Sequence, residues 1–270
     1  MIQISDEELA SINRAIAGRY GMDFSHYEPV SFKRRVSRVI ERYQLENSLG
    51  LWRKMLSDAQ FIYTFIDEIT VGLTEMFRNH EFWLKLRQHI LPQFRYKNQL
   101  GVWHAGCSTG EEVYSLAILL LEEDLIHKAH ITATDLNSQA VKNAAAGTFS
   151  SIYEPVYAKN YYAAGGKKTL AHYYTPEGDL MRFNKVSRQA FRFYQHNLVR
   201  DPMAARFDVI FCRNVMIYFD EVLKMKVLEL FHNCLREDGL LVIGFYDAMP
   251  GGYPQYFELY DPEIKTYRKK

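Results

Sequence analysis

Residues 106–112 read Gly-Cys-Ser-Thr-Gly-Glu-Glu. The run GVWHA enters this stretch and VYSLAILLL leaves it, the pattern of a strand, a small-residue turn and a helix. Turns of this kind often cradle phosphate at the helix N-terminus. Two adjacent acids, Glu111 and Glu112, would repel phosphate and favour a ligand of ammonium or sulfonium character. Asp135 closes a second strand-like run, HITATD, about 25 residues after the turn, where an acid can bind both hydroxyls of a ribose. A third run, FDVIFCRN, ends in Arg213 and Asn214. In an open α/β sheet such strand ends converge on one crevice.

Gly106 and Gly110 lack a Cβ and would let the backbone approach a ligand closely. Taken together, glycines, a ribose acid and a carboxylate for positive charge suit S-adenosylmethionine. The alternative reading of Glu111 and Glu112 is that they only stabilise the first turn of the helix.

The elements that must hold these residues follow from periodicity. Residues 1 to about 70 read as helices. Ser5 and Glu8 have capping-box spacing, Gly18 or Gly21 could end the first helix, and SFKRRVSRVIERYQL carries an apolar stripe. EFWLKLRQHILPQF (81–94) is a further amphipathic helix. Beyond it strands and helices alternate, which predicts a doubly wound, Rossmann-like parallel sheet. The terminal YPQYFELYDPEIKTYRK predicts a hairpin turning at Asp261-Pro262, with the last strand antiparallel. The reading is thus an N-terminal helical domain (1–70) and a sheet domain (71–270), with a small antiparallel β insertion near 173–196. The segments YYTPEGDLMRFN and AFRFYQHN supply its short strands.

Bulk properties narrow the function. A chain of 270 residues with 48% hydrophobic content can bury a large core, and a net charge of +1 gives no global attraction to nucleic acid or membrane. No apolar run reaches the length of a membrane span, and no secretory leader is evident, so a soluble cytoplasmic protein is expected. Three separated cysteines, Cys107, Cys212 and Cys234, suggest neither disulfides nor a metal site, and packing is expected of Cys107 and Cys212. The nine histidines are scattered without metal-ligand spacing.

Five stretches, LTEMFRNHEFW, AGCSTGEEVYSLAI, ATD, YQHNL and FDVIFCRNVMIYFD, lie in order over residues 70–250 and resemble the CheR family of chemotaxis methyltransferases. The resemblance implies methyl transfer from S-adenosylmethionine to glutamate side chains of chemoreceptors, with S-adenosylhomocysteine as product. It places cofactor contacts on Thr74, Arg78, Glu112, Asp135, Asn197, Leu198, Asn214 and Val215. Glu111 is the weaker of the two acids. Arg78 is expected to hold the substrate carboxylate through its planar guanidinium, and Tyr218 to offer a hydroxyl to substrate or cofactor. The alternatives for these two are a salt bridge from Arg78 to an acid such as Glu75, and ordinary packing of Tyr218.

Two departures from the family pattern stand out: Gly72 replaces a usual asparagine, and FYDAMPGG follows GLLVIG where histidine, serine and glutamate are usual. Arg34, Arg38 and Arg42 share one helical face. They form either a solvated basic surface or, as the resemblance implies, a dock for a receptor's acidic methylation helices. The β insertion implies a site where some members bind a receptor tail by adding a strand. A monomer is expected. The alternative functions are methylation of another protein or a small molecule, and cofactor binding without catalysis.

Overall fold

The computed structural model describes residues 4–20, 24, 25, 27, 29–70, 74–184 and 190–270. Gly21, His26, Gly72 and the junction at 71–73 lie outside the described residues. The first helix, α1 (Asp6–Tyr20), starts as its spacing predicts. Glu8 N donates to Ser5 Oγ at 3.1 Å and Ser5 N donates back to Glu8 Oε2 at 2.8 Å, so two orphan N–H groups are satisfied reciprocally. Gly18 does not end the helix, which continues two residues further. Then follow α2 (Pro29–Arg42), α3 (Ser48–Ser57) and α4 (Phe61–Thr70). Asn47 caps α3 by accepting from Gly50 N at 3.0 Å. The apolar stripes of these helices, including Ile16, Phe32, Val36, Ile40, Leu51 and Phe65, close a core of their own.

A short helix, α5 (His80–Lys85), runs through a wider turn at Leu86–Ile90 into a tight one at Leu91–Phe94, where Pro92 stops it. The sheet then begins. Its strands are β1 (Leu100–Ala105), β2 (Ala129–Asp135), β6 (Phe191–Gln195), β7 (Phe207–Cys212), β8 (Leu235–Ile243), β9 (Phe257–Asp261) and β10 (Thr266–Lys269). Their spatial order is β6-β2-β1-β7-β8-β10-β9. The first five are parallel, and β10 and β9 are antiparallel as the terminal hairpin requires. The crossover helices are α6 (Glu111–Glu122), α7 (Ser138–Ala146) and α9 (Glu221–Cys234). The chain leaves β1 toward β2 and later returns to its other side as β7, so the strand order reverses beside β1 and opens a crevice at its carboxyl end. β1 and β7 are buried along their whole length, as central parallel strands must be.

The β insertion is smaller than its pattern suggests. Between α7 and β6 lie β3 (Thr148–Ser150), α8 (Glu154–Ala163), β4 (Thr175–Glu177) and β5 (Leu180–Arg182). β4 and β5 form the hairpin around Gly178, and β3 pairs with β5 to make a separate three-stranded sheet. The second predicted segment, AFRFYQHN, instead forms β6 in register with β2. Its alternation suits an edge strand equally well, so periodicity could not assign it to a sheet.

One buried acid fixes β1 against β7. Asp208 accepts from Gly101 N at 2.8 Å, Lys97 Nζ at 2.5 Å and Arg236 Nη1 at 3.0 Å. Asp208→Ala would leave Gly101 N–H buried without its acceptor, while the half-exposed Lys97 and Arg236 can return to water. We expect a loss of about 3 kcal/mol of stability, measured as a lower urea midpoint with an unchanged m-value.

Candidate active site

The turn after β1 is held by its neighbours. Gly106 has φ +90°, and a Cβ there would lie 2.4 Å from Val215 Cγ2. Gly110 has φ +100°, and a Cβ there would lie 2.9 Å from Ala144 Cβ on α7. The missing Cβ atoms thus admit the loop after β7 and the helix after β2, and Gly106 also lines the cavity described below. Asp135, at the end of β2, joins the same turn. Its Oδ2 accepts from Ser108 N at 2.8 Å and its Oδ1 from Asn137 N at 2.9 Å. Burial raises its pKa against the pull of these N–H donors.

The loop after β7 is held in the same manner. Asn214 adopts φ +60°, uncommon for a residue with a side chain. Asp247 fixes it: Oδ2 accepts from Asn214 N at 2.6 Å and Gly244 N at 2.8 Å, and Oδ1 accepts from Ile217 N at 2.9 Å. Asp247 belongs to the FYDAMPGG stretch. Gly244 is needed beside it, because a Cβ there would lie 2.7 Å from Asp247 Oδ2 and 2.8 Å from Asn214 N. Lys265 ties the loop down through the carbonyls of Phe245 and Asp247.

The two glutamates at the start of α6 part company. Glu111 is buried below the helix, accepting from Thr109 Oγ1 at 2.7 Å and from Tyr157 OH at 3.5 Å, and its burial raises its pKa. Glu112 faces the crevice. Its Oε1 meets His104 Nδ1 at 3.0 Å and its Oε2 accepts from Arg213 Nη1 at 2.8 Å. Burial alone would raise its pKa, but the charge of Arg213 and the hydrogen bond to His104 outweigh it and hold the carboxyl below its usual range.

Arg78 and Tyr218 approach from different elements. Arg78 lies between Phe77 (φ +53°) and Asn79 (φ +58°), two residues in the left-handed region. Phe77 N donates to Ser115 Oγ on α6 at 2.9 Å, and Trp83 Nε1 donates to Arg78 O at 3.0 Å, so the bend is pinned on both sides. Tyr218 lies in the tight turn Met216–Tyr218. Its ring is stacked on Tyr27, with centroids 6.3 Å apart, and carries the guanidinium of Arg35 at 4.7 Å from its centroid. Arg35 also donates to Ile69 O. Tyr27 pairs with Phe219 through an isolated backbone bridge.

All these groups surround one cavity of about 320 Å³, a volume suited to a small organic ligand. Thr74, Arg78, Glu112, Asp135, Asn197, Leu198, Asn214, Val215 and Tyr218 all line it. Glu111 does not line it, nor do Arg34, Arg38 and Arg42. These last three lie exposed on α2, with Arg42 paired to Glu68 at 2.7 Å. Among the cavity residues, sequence reasoning missed Arg35, Tyr27 and His196, and it placed Arg213 at the crevice without giving it a role. Arg35 stands inside the same basic run as Arg34 and Arg38, and only the turn of the helix distinguishes it. Cys107 lines the cavity and Cys212 lies buried nearby; burial pushes both thiols well above their usual range, which removes them as nucleophiles. Among the described residues, no group of three or more His, Cys, Asp or Glu could hold a metal, and no helix is long and apolar enough to cross a membrane.

A model of the CheR methyltransferase S-adenosylmethionine-binding domain matches residues 72–265, and one of the CheR all-alpha domain matches residues 7–70. The chain belongs to the CheR methyltransferase family. Among relatives, Cher3 of Pseudomonas putida is 33% identical over 98% of this chain and 96% of its own. A chemotaxis protein methyltransferase of Listeria innocua is 30% identical over 90% of this chain and 91% of its own. One of Borreliella burgdorferi is 27% identical over 93% and 91%.

The cofactor of this CheR-family methyltransferase is S-adenosylmethionine. The cavity fits it. Arg213 Nε and both ring nitrogens of His196 are buried at its wall without a hydrogen-bond partner among the described residues. Asp135 and Glu112 each keep a lone pair beyond the bonds described above, the first beside the ribose-binding position of the fold and the second beside the turn.

Asp247 offers a direct check on how the wall is held. Asp247→Ala would strand the N–H groups of Asn214, Ile217 and Gly244, at a cost of about 3 kcal/mol or more. Cofactor affinity should fall with stability, because Asn214 and Val215 lose their anchor. Thermal denaturation with and without S-adenosylhomocysteine measures both; an unchanged melting temperature would show that the anchor is dispensable.

Proposed function

We propose that this methyltransferase esterifies glutamate side chains on the cytoplasmic domain of a chemoreceptor, with the chain itself residing in the cytoplasm. The observation that carries the reading is that two arginines, Arg35 and Arg78, line the cavity together with Tyr218, whose ring carries the Arg35 guanidinium. Two guanidinium groups lining a cofactor cavity suit an anionic acceptor. The Listeria and Borreliella relatives are named chemotaxis protein methyltransferases, which supports the same class of pathway.

S-adenosylmethionine supplies a methyl group on a positively charged sulfur; a carboxylate oxygen attacks that carbon, the C–O bond forms as the C–S bond breaks, and S-adenosylhomocysteine is released. A glutamate carboxylate is ionised near neutral pH, so no general base is needed. The residues must align and dehydrate the reactants. On this reading Arg78 orients the carboxylate through its planar fork, and Tyr218, held between Tyr27 and Arg35, fixes the opposite side. Thr74, Glu112, Asp135, Asn197, Leu198, Asn214 and Val215 hold the cofactor. Arg34, Arg38 and Arg42 supply an exposed basic face for an acidic helix of the receptor.

The experiment is methyl transfer from labelled cofactor to a chemoreceptor fragment, with the label released as methanol by mild base, as a carboxyl methyl ester requires. Base-stable label would point to another acceptor group. Arg78→Ala should lower kcat by about a hundredfold or more while cofactor affinity stays within a few-fold. Near-normal turnover in that variant would remove Arg78 from the chemistry.

Reversing Arg34, Arg38 and Arg42 to glutamate should raise KM for the receptor by about tenfold or more, with a strong dependence on salt, and leave cofactor affinity unchanged. Equal kinetics at low salt would leave that face a solvated surface only.

A further inference from the structure

Arg213 is the most enclosed charge at the cavity, and the family resemblance assigns it neither a cofactor contact nor a catalytic role. Its side chain is 2% exposed and that of Glu112 is 20% exposed. Nη1 donates to Glu112 Oε2 at 2.8 Å, and Nη2 donates to Asn79 Oδ1 at 3.1 Å. The guanidinium plane lies 4.0 Å from the Phe82 ring centroid. A buried ion pair contributes little net stability compared with apolar residues of the same shape, so stability alone does not account for a guanidinium here. Its two contacts do have a use in common. One fixes Glu112, which faces the cofactor cavity. The other fixes Asn79, the left-handed residue that follows Arg78.

We propose that Arg213 is a positioning residue with two arms: it holds Glu112 ionised and aimed at the charged amino-acid end of the cofactor, and it locks the Asn79 bend that presents Arg78 to the substrate. The first arm rests on the reading that Glu112 contacts the cofactor. Without Arg213, the desolvation of Glu112 is opposed only by its contact with His104, and the carboxylate loses the contact that aims it at an ammonium group. Without the Asn79 contact, the backbone that carries Arg78 between the left-handed residues Phe77 and Asn79 loses one of its restraints, with no direct consequence for the nucleoside half of the cavity.

The test uses two ligands on the intact chain. S-adenosylhomocysteine carries the amino-acid end; 5′-methylthioadenosine carries the nucleoside alone. Arg213→Met should weaken S-adenosylhomocysteine about ten- to hundredfold, the worth of one hydrogen bond to a charged group, and leave methylthioadenosine within about twofold, since the nucleoside contacts do not depend on Arg213. Glu112→Gln should reproduce that pattern, and the double variant should be no weaker than the weaker single one, because both act through one contact. Arg213→Lys keeps the charge and loses the fork: S-adenosylhomocysteine affinity should return to within a few-fold while kcat for methyl transfer stays depressed. Asn79→Gly keeps the left-handed backbone available and should lower kcat without moving either affinity.

Equal loss for both ligands in the Arg213 variants, or additive losses in the double variant, would reduce Arg213 to a packing role and overturn the proposal. If Arg213→Met does not fold, Arg213→Lys and Asn79→Gly decide it by the same split between affinity and kcat. Failure of the underlying reading has a different signature: the parent chain binds S-adenosylhomocysteine, but Glu112→Gln leaves that affinity unchanged.

Discussion

Carboxylates accepting backbone N–H groups hold this cavity in shape. Asp135 ties the turn after β1 to the turn after β2, and Asp247 gathers the loop after β7 and the end of β8. Each acid is buried enough that desolvation raises its pKa, and the N–H donors work against that rise. A loop restrained at two or three N–H groups cannot drift without stranding buried donors. The positive φ values at Gly106, Gly110 and Asn214 persist for the same reason. Gly106, Cys107, Ser108, Leu136, Asn214, Val215 and Ile217 hang from these restrained loops, so their placement follows from the two acids and the strands that deliver them.

The cavity is lined by charges of both signs, Glu75, Glu112 and Asp135 with Arg35, Arg78 and Arg213, and Glu112 meets Arg213 and His104 directly. Away from bulk water each of these charges interacts more strongly at a given distance than it would at the surface. On the proposed function, the ammonium end of the cofactor would meet Glu112, and a dinucleotide phosphate would meet the same carboxylate beside the turn after β1, so Glu112 and the guanidinium paired with it would disfavour the second ligand class.

Local and nearest-neighbour features were legible in the sequence. The Ser5–Glu8 capping box, the parallel alternation, the terminal hairpin and the strand ends at Ala105 and Asp135 all follow from spacing and residue type, and the third strand ends at Cys212, just short of the expected Arg213-Asn214. Contacts between distant segments were not. Glu112 and Arg213 stand 101 positions apart, and nothing local to either announces the other. Asp247 reads as an acid in a loop until its three N–H partners are seen. The glycines of the turn were legible as backbone requirements, but what occupies the missing Cβ space, Val215 and Ala144, depends on packing. AFRFYQHN showed strand character without showing which sheet it joins, because two-residue alternation is the same in both.

The helical domain contributes to the cavity itself. Phe24, Tyr27, Arg35 and Ile66 line it, and Tyr27 is bridged to Phe219 next to Tyr218. α2 therefore has three faces with different surroundings. Phe32, Val36, Val39 and Ile40 pack inward, Arg34, Arg38 and Arg42 are exposed, and Arg35 lies between them over Tyr218. On the proposed function this geometry couples docking to chemistry. A receptor helix held by the outer arginines would load the same rigid helix that carries Arg35, and a change in its seating would reach Tyr218 through a contact of 4.7 Å. The coupling needs no moving lid. It needs only that one helix present a docking face and a cavity residue a single position apart.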